Sequence, residues 1–329
     1  MIQFFKDIGG FIMTPLYLVI SAILVGFHNL WGGLFGPATG VAWVFSIICL
    51  TLVIRIALIP LFVKQIKSSR NMQLIQPKVK ELQKKYGHDR ERLAQETMAL
   101  YKETGTNPFA SCLPIILQMP IFLALFRLID QAAKKPENPK GLMTTQLNEQ
   151  FGSAIFLGAK ISDTFLSTEL TSVRILAAIL VVAMTATTFL TQRQLMSKNM
   201  PADALTGPYA QQQKLLLYVL PVVFAVGGIA FPVGVLFYWT TSNLWTMGQQ
   251  FYVIRNNPAP GTPAFKAKQD RDAAKARRHG QPVATEVEVV EEAPRPPSRQ
   301  QPKKQTRSQR KKGRPAPGDA GGSPSAPDA

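Results

Sequence analysis

The chain has 329 residues, of which 46% are hydrophobic, and it carries a formal net charge of +17. This average conceals a division, because residues 11–254 hold nearly all of the long apolar runs, while residues 255–329 are rich in Pro, Arg, Lys, Ala and Gln. The division argues against one or two soluble domains of uniform composition.

The first apolar run, residues 11–31, has two interpretations. It is long enough to span a bilayer, and Lys6 before it suits a cytoplasmic start. Phe27 and Trp31 cluster near its end, however, which suits a helix lying in the outer interface. Residues 1–40 are therefore expected to form an apolar helix and an outer loop, and both placements stay open.

The core is predicted to contain five spans within residues 41–256. Each run is close to the length needed for a hydrocarbon layer of about 30 Å. Backbone groups in that layer must be satisfied within their own segment, so the spans are helices. The fold class is thus an all-α polytopic membrane protein with a five-helix transmembrane core. The five runs are 41–63, 109–129, 171–192, 214–230 and 233–254.

Charge predicts the topology of these spans. Residues 64–105 carry ten Lys or Arg against five acids, residues 255–329 carry sixteen against eight, and the loop after the third span is also basic. The positive-inside rule makes these three segments cytoplasmic. We therefore expect a multi-pass protein of the plasma membrane with a cytoplasmic C-terminus. The longer loop 131–170 then lies outside, and its lysines count for less.

Two cytoplasmic regions flank this core. Residues 64–107 are expected to form a helical hairpin, because Pro77 and Asp89 suit helix starts and Gly87 and Gly105 suit helix ends. Such a hairpin is either a solvated loop or a partner for anionic lipid headgroups or ribosomal RNA. Residues 257–329 are predicted to be a disordered basic tail. Its basic stretches either mark the cytoplasmic side or contact ribosomal RNA.

Arg55 is the most informative residue of the first core span. It would lie roughly 12 Å from the end of the run at Val63. A charge at that depth is costly, and such residues usually face a bundle interior or a watery cavity. Snorkelling to the nearer interface is the alternative. We favour the cavity, with Thr51 on the same helical face.

Other spans also carry polar or aromatic side chains at depth. Each of them alone fits ordinary hydrogen bonding between membrane helices. Together with an arginine that has no acid in the other spans to pair with, they favour a shared hydrated cavity. The candidates are Gln118, Thr188, Gln192, Trp239 and Asn243.

Other chemistries find little support. Cys49 and Cys112 are expected to pack as small hydrophobes, and the three histidines are scattered, so no metal site or cofactor is predicted. The chain has no phosphate-binding loop. A secondary transporter or channel is the alternative function, although the two halves show no internal repeat. An intramembrane protease would need His or paired acids within the spans.

Four motifs, in order and spacing, resemble the YidC/Oxa/Alb family of membrane protein insertases over about residues 40–256. They are LTLVIRIALIPL (50–61), MQLIQPKVKELQKKYGHDRERLAQETMALYKETGTNP (72–108), CLPIILQMPIFLALF (112–126) and FPVGVLFYWTTSNLWTMGQQ (231–250). The absence of a large periplasmic domain between an N-terminal anchor and the core resembles Gram-positive, in particular actinobacterial, members. The lipid-modified cysteine of many such members has no counterpart before Cys49.

The resemblance implies a five-helix core around a hydrophilic groove that opens to the cytoplasm. Arg55 matches the family's groove arginine, and Thr51 its neighbour one turn away. Trp239 falls at an aromatic position of the last span, and Gln192 matches a groove glutamine of the third. The implied function is that of a non-enzymatic insertase and chaperone. Its clients are nascent membrane proteins, and the lipid bilayer, the Sec translocon and the ribosome are candidate partners.

Overall fold

In a computed structural model of the chain, residues 2–107, 113–167, 169–200 and 208–279 are described. This part is mostly helical. Its helices are α1 (Ile2–Phe35), α2 (Gly40–Ala57), α3 (Ile59–Leu74), α4 (Gln76–Tyr86), α5 (Arg90–Glu103), α6 (Leu113–Lys134), α7 (Thr145–Ser153), α8 (Thr171–Asn199), α9 (Pro208–Gly228), α10 (Val233–Asn256) and α11 (Pro263–Arg278). Strands β1 (Ile155–Phe156) and β2 (Ala159–Lys160) form a small antiparallel hairpin between α7 and α8. The expected all-α chain therefore carries one short strand pair, which the sequence analysis missed.

Four stretches of the described residues are long and apolar enough to cross a membrane: Met13–Phe35, Gly40–Ala57, Ile116–Lys134 and Thr171–Asn199. Three of them overlap predicted core spans, and the other belongs to α1. The run predicted at 214–230 corresponds to the shorter apolar stretch Leu217–Gly228. The run at 233–254 is helical as α10, but its cluster of polar side chains lowers its hydropathy. The five-helix core is therefore not confirmed as predicted.

The expected continuous helix over residues 41–63 is wrong. α2 ends at Ala57, and α3 begins at Ile59 and continues to Leu74. Pro60, the second residue of α3, has no N–H group to donate to the carbonyl of Ile56. The regular backbone hydrogen bonding of α2 is therefore interrupted there. The helix boundary therefore falls between Arg55 and the cytoplasm-side end of the predicted span.

Two other predicted spans have different ends. α6 continues five residues past the predicted end of 109–129, to Lys134, whose Nζ lies 2.6 Å from Asp130 Oδ1. α8 continues seven residues past 192, to Asn199. Both extensions carry polar and charged residues that hydropathy alone excluded. Cys112 and the start of 109–129 lie outside the described residues.

The hairpin within 64–107 forms as predicted. α4 carries Pro77 near its start and ends before Gly87, and the Asp89 carboxylate caps α5 by accepting from the backbone N–H of Arg92 at 3.0 Å. α5 ends at Glu103, where Gly105 takes a positive φ of 62°. α4 and α5 pack mainly on each other. The helices thus form from local capping signals.

The prediction that the chain is disordered from residue 257 is wrong for residues 257–279. Thr262 caps α11 by accepting from the N–H of Phe265 at 3.3 Å, and Pro263 occupies the first helical position. The N–H of Ala259 donates to Asn199 Oδ1 at the end of α8 at 2.8 Å. This long-range bond secures the segment that precedes α11. Residues 280–329, including the basic stretch 303–314, lie outside the described residues.

The packed core is formed by α1, α2, α6, α7, α8 and α10. Trp43 of α2 is fully buried, stacks on His28 of α1 with ring centroids 3.7 Å apart, and meets Phe151 of α7 edge-on at 5.2 Å. α10 packs against α8, α2 and α6, and α9 packs against α8. α10 is therefore the helix that joins the α2 side of the molecule to the α8 side.

Candidate functional site

Arg55 lies in the last turn of α2 and is buried, with 9% of its surface exposed. Its Nε donates a hydrogen bond to Ser242 Oγ of α10 at 3.0 Å, and its Nη2 donates to the same oxygen. The guanidinium carbon lies 5.7 Å from the ring centroid of Phe62 on α3. No ion pair joins Arg55 to a carboxylate of the described residues. Its charge is thus held in place by a neutral hydroxyl and an aromatic ring.

Thr51 occupies the same face of α2, one turn before Arg55. Its side chain is buried, and its hydroxyl donates to the carbonyl oxygen of Ile47 at 2.7 Å. That bond satisfies the hydroxyl within its own helix, which is common for threonine in membrane helices. Thr51 therefore lies beside Arg55 on α2 without a described hydrogen bond to it.

Gln118 of α6 contacts α10 one turn from the Arg55 contact. Its Nε2 donates to the hydroxyl of Tyr238, which is buried. Tyr238 and Ser242 are four residues apart and so lie on one face of α10. The Oε1 atom of Gln118 is buried and has no hydrogen-bond partner among the described residues. The face of α10 that carries Ser242 and Tyr238 therefore receives an arginine from α2 and a glutamine from α6.

Asn243 connects α10 to α8. Its Nδ2 donates to Thr188 Oγ1 at 3.2 Å, and the Thr188 hydroxyl itself donates to the carbonyl of Met184 at 2.8 Å. Gln192 lies one turn beyond Thr188 on α8 and is half-buried. The described hydrogen bonds bring Asn243 and Thr188 together but do not extend to Gln192.

Trp239 lies in an aromatic cluster rather than among the polar side chains. Its ring meets Phe224 of α9 at 5.1 Å, Phe122 of α6 at 5.3 Å and Phe231 at 5.5 Å between centroids. These contacts join three helices through apolar surface. Trp239 therefore packs among aromatic side chains, beside the polar side chains of α10.

Ser242 and Tyr238 were not predicted as site residues, although both belong to the cluster of polar side chains in α10. Their spacing of four residues was the available signal, because it places both on one helical face. The sequence did not show that this face is turned towards Arg55 and Gln118. Among the described residues, no three His, Cys, Asp or Glu side chains lie close enough to hold a metal ion.

Comparison with known proteins shows the family of the chain. Residues 34–260 match the family model described as "60Kd inner membrane protein". The chain is 47% identical over 280 residues to a "Membrane protein insertase YidC" of Streptomyces avermitilis, covering 82% of this chain and 64% of that protein. A protein of the same name from Tropheryma whipplei is 37% identical over 79% of this chain and 89% of its own length.

A solved structure, described as "Active YidC insertase crystal structure with the first transmembrane domain resolved", aligns with 71% of this chain and 46% of its own chain. The identity is 26% and the TM-score is 0.44. The match to the family model covers α2 to α10. The protein is therefore a multi-pass membrane protein that belongs to the YidC family of 60Kd inner membrane proteins.

Proposed function

We propose that this protein inserts nascent membrane segments into the lipid bilayer, with Arg55 as the residue that attracts the polar flank of the client. The single observation that carries the proposal is the environment of Arg55. A buried charge in a membrane helix is costly and is rarely kept without a use. Here its described partners are a neutral hydroxyl and an aromatic ring, so its position is restrained while its charge is not neutralised.

An uncompensated guanidinium suits an acidic client. The Ser242 hydroxyl accepts from Nε and Nη2, whereas a guanidinium has five N–H donors and binds carboxylates through parallel pairs. An acidic residue in the translocated flank of a client would therefore supply the missing counter-charge. The polar side chains of α6, α8 and α10 would line the same hydrophilic groove: Gln118, Thr188, Gln192 and Asn243. Such a groove shortens the apolar distance that the flank must cross.

The driving force in this mechanism is partitioning of the apolar client segment into lipid, aided by the membrane potential. The apolar, exposed faces of the helices let the segment leave sideways. The protein acts as an insertase and chaperone and not as an enzyme. Its proposed orientation has the hairpin 64–107 and the C-terminus in the cytoplasm, because these segments carry the excess of Lys and Arg.

The decisive experiment reconstitutes the protein in liposomes with a short single-spanning client and measures insertion by protease protection. Arg55→Ala should reduce insertion of a client with an acidic flank far more than that of a client with a neutral flank. Arg55→Lys should retain more activity, because a positive charge persists. Arg127→Ala, which removes an exposed arginine in the second half of α6, is the matched control.

Equal insertion of both clients by the Arg55→Ala variant would show that Arg55 is structural. A transporter or channel is the competing function. Failure to insert any client, together with solute flux through the purified protein, would favour it.

The partners follow from the same proposal. Nascent membrane proteins are the substrates, and the Sec translocon supplies some of them. Ribosomes would be held near the groove by the hairpin 64–107 and by the basic residues that follow α11. Co-sedimentation of ribosomes with the full chain and with a chain ending at His279 tests the tail. Equal binding by both across a salt series would leave the hairpin as the binding element.

A further inference from the structure

The turn between β1 and β2 exposes large apolar side chains. Leu157 is 78% exposed, Ile155 is 60% exposed, and Leu166 in the following loop is 63% exposed. We call these three residues the hairpin patch. Leu157 also has a φ of +50°, a left-handed conformation that strongly favours Gly or Asn, and no other described non-glycine residue has a positive φ. Both the left-handed backbone conformation and the high exposure are unfavourable for a leucine.

The hairpin is fastened to the ends of three long helices. The N–H groups of Val233 and Gly234, at the start of α10, donate to the carbonyls of Asp163 and Ile161 at 3.0 and 2.8 Å. Ser172, at the start of α8, donates its hydroxyl to the carbonyl of Gly158 at 2.6 Å. Gly40, at the start of α2, lies so close to the backbone of Ile155 that a β-carbon would overlap it. The hairpin patch is therefore held at the level where these helices begin.

The hairpin turn meets α8 at the head of an exposed apolar row. Ser172, which bonds to the hairpin turn, lies on the same helical face as Ile175 and Ile179, at spacings of three and seven residues. Ile175 and Ile179 are exposed, as is Val182 one turn further, and all three belong to the candidate span Thr171–Asn199. In a bilayer this row faces lipid. The turn of the hairpin lies at the end of that row.

We propose that the hairpin patch inserts into the interfacial layer of the bilayer and contacts lipid acyl chains beside the start of α8. Lipid is the occupant supported by this position, since the hairpin turn bonds to Ser172 at the head of the exposed apolar row of α8. The contact fixes the depth at which α8 begins, and it offsets both the exposure of Leu157 and its unfavourable backbone. It requires only that α8 crosses the membrane and does not depend on insertase activity.

The test uses an environment-sensitive fluorophore. Leu157→Cys in a Cys49→Ala/Cys112→Ala background is labelled with NBD in phosphatidylcholine–phosphatidylglycerol vesicles, with and without lipids that carry a shallow nitroxide. Nitroxide should quench the label at least twofold, and aqueous iodide should quench it weakly. Glu137→Cys in the preceding loop, which is exposed and polar, is the matched control and should show the opposite pattern.

A second variant separates lipid contact from folding. Leu157→Asn suits the left-handed backbone, so it should leave the Tm unchanged while reducing nitroxide quenching of a label at Leu166→Cys at least twofold. If the label at residue 157 is quenched by iodide as strongly as the one at residue 137, the proposal is overturned. Protection from iodide in native membrane vesicles but not in pure lipid vesicles would also overturn it, in favour of an apolar protein partner.

Discussion

The bond between Arg55 and Ser242 makes a quantitative prediction about stability. Ser242→Ala removes the oxygen that accepts from both Nε and Nη2 of a buried guanidinium. Hydrogen bonds to charged groups contribute about 1.5–3 kcal/mol in soluble proteins. Double-mutant cycles between membrane helices average about 0.6 kcal/mol and reach about 1.7 kcal/mol. Because this donor is ionised, we expect a coupling free energy near the upper end of the membrane range, about 1.5 kcal/mol.

The assay is a double-mutant cycle. The free energy of unfolding is measured in lipid bicelles for the parent, Arg55→Ala, Ser242→Ala and the double variant, and the departure from additivity is the coupling. Ser46→Ala is the matched control. Ser46 is also a buried serine of this helix bundle, but its hydroxyl donates to the carbonyl of Ala42 in its own helix. Its effect should add to that of Arg55→Ala.

A coupling between Arg55 and Ser242 smaller than about 0.5 kcal/mol would be indistinguishable from independent sites. That result would refute the inference that Ser242 holds the guanidinium in place. It would also remove the main structural reason for placing the client contact between α2 and α10.

The remaining predictions concern the aromatic cluster, α11 and the α4–α5 hairpin. Trp239→Ala should lower the free energy of unfolding by about 3–5 kcal/mol, because contacts with three phenylalanines are lost. Trp239→Phe should lower it much less. Equal effects of the two variants in thermal unfolding would contradict a packing role. Asn199→Ala removes the acceptor of the Ala259 N–H, and the loss of this hydrogen bond should cost about 1 kcal/mol. Hydrogen exchange in residues 263–278 should therefore accelerate about fivefold. Unchanged exchange would mean that α11 is held by other contacts. Residues 72–105 should exchange faster than α2, because α4 and α5 pack mainly on each other. Exchange as slow as that of α2 would indicate a docked, rigid cap, and deleting the hairpin should impair insertion more than folding.

Local signals made the α4–α5 hairpin predictable. Asp89 caps α5 through a bond to a residue only three positions away, and Pro77 and Gly87 act on their own turns. The same reasoning failed for α11. Its cap, Thr262, is equally local, but the composition of the whole tail favoured a prediction of disorder. In addition, the N–H of Ala259 bonds to Asn199, which is 60 residues earlier. A disorder prediction based on composition cannot include a contact that only the folded chain brings together.

Hydropathy does not place α10 among the candidate membrane spans. This helix is long and has polar side chains at its centre, and those side chains are satisfied by α2, α6 and α8. A property averaged over the residues of one helix takes no account of neighbours. The side-chain pairs that join α10 to the other helices also decided which candidate residues meet. Asn243 bonds to Thr188, whereas Trp239 packs against three phenylalanines.

The sequence by itself determined the class of the protein and the helical hairpin, and it predicts the depth of Arg55. These follow from runs of apolar residues, local caps and the cost of a charge in hydrocarbon, all of which act within one segment of chain. Only the tertiary structure decided that Ser242 holds Arg55 and that Tyr238 meets Gln118. The first pair is separated by 187 residues and the second by 120. Which side chains meet across such distances depends on the rotation and height of packed helices, and these are set by the whole core at once.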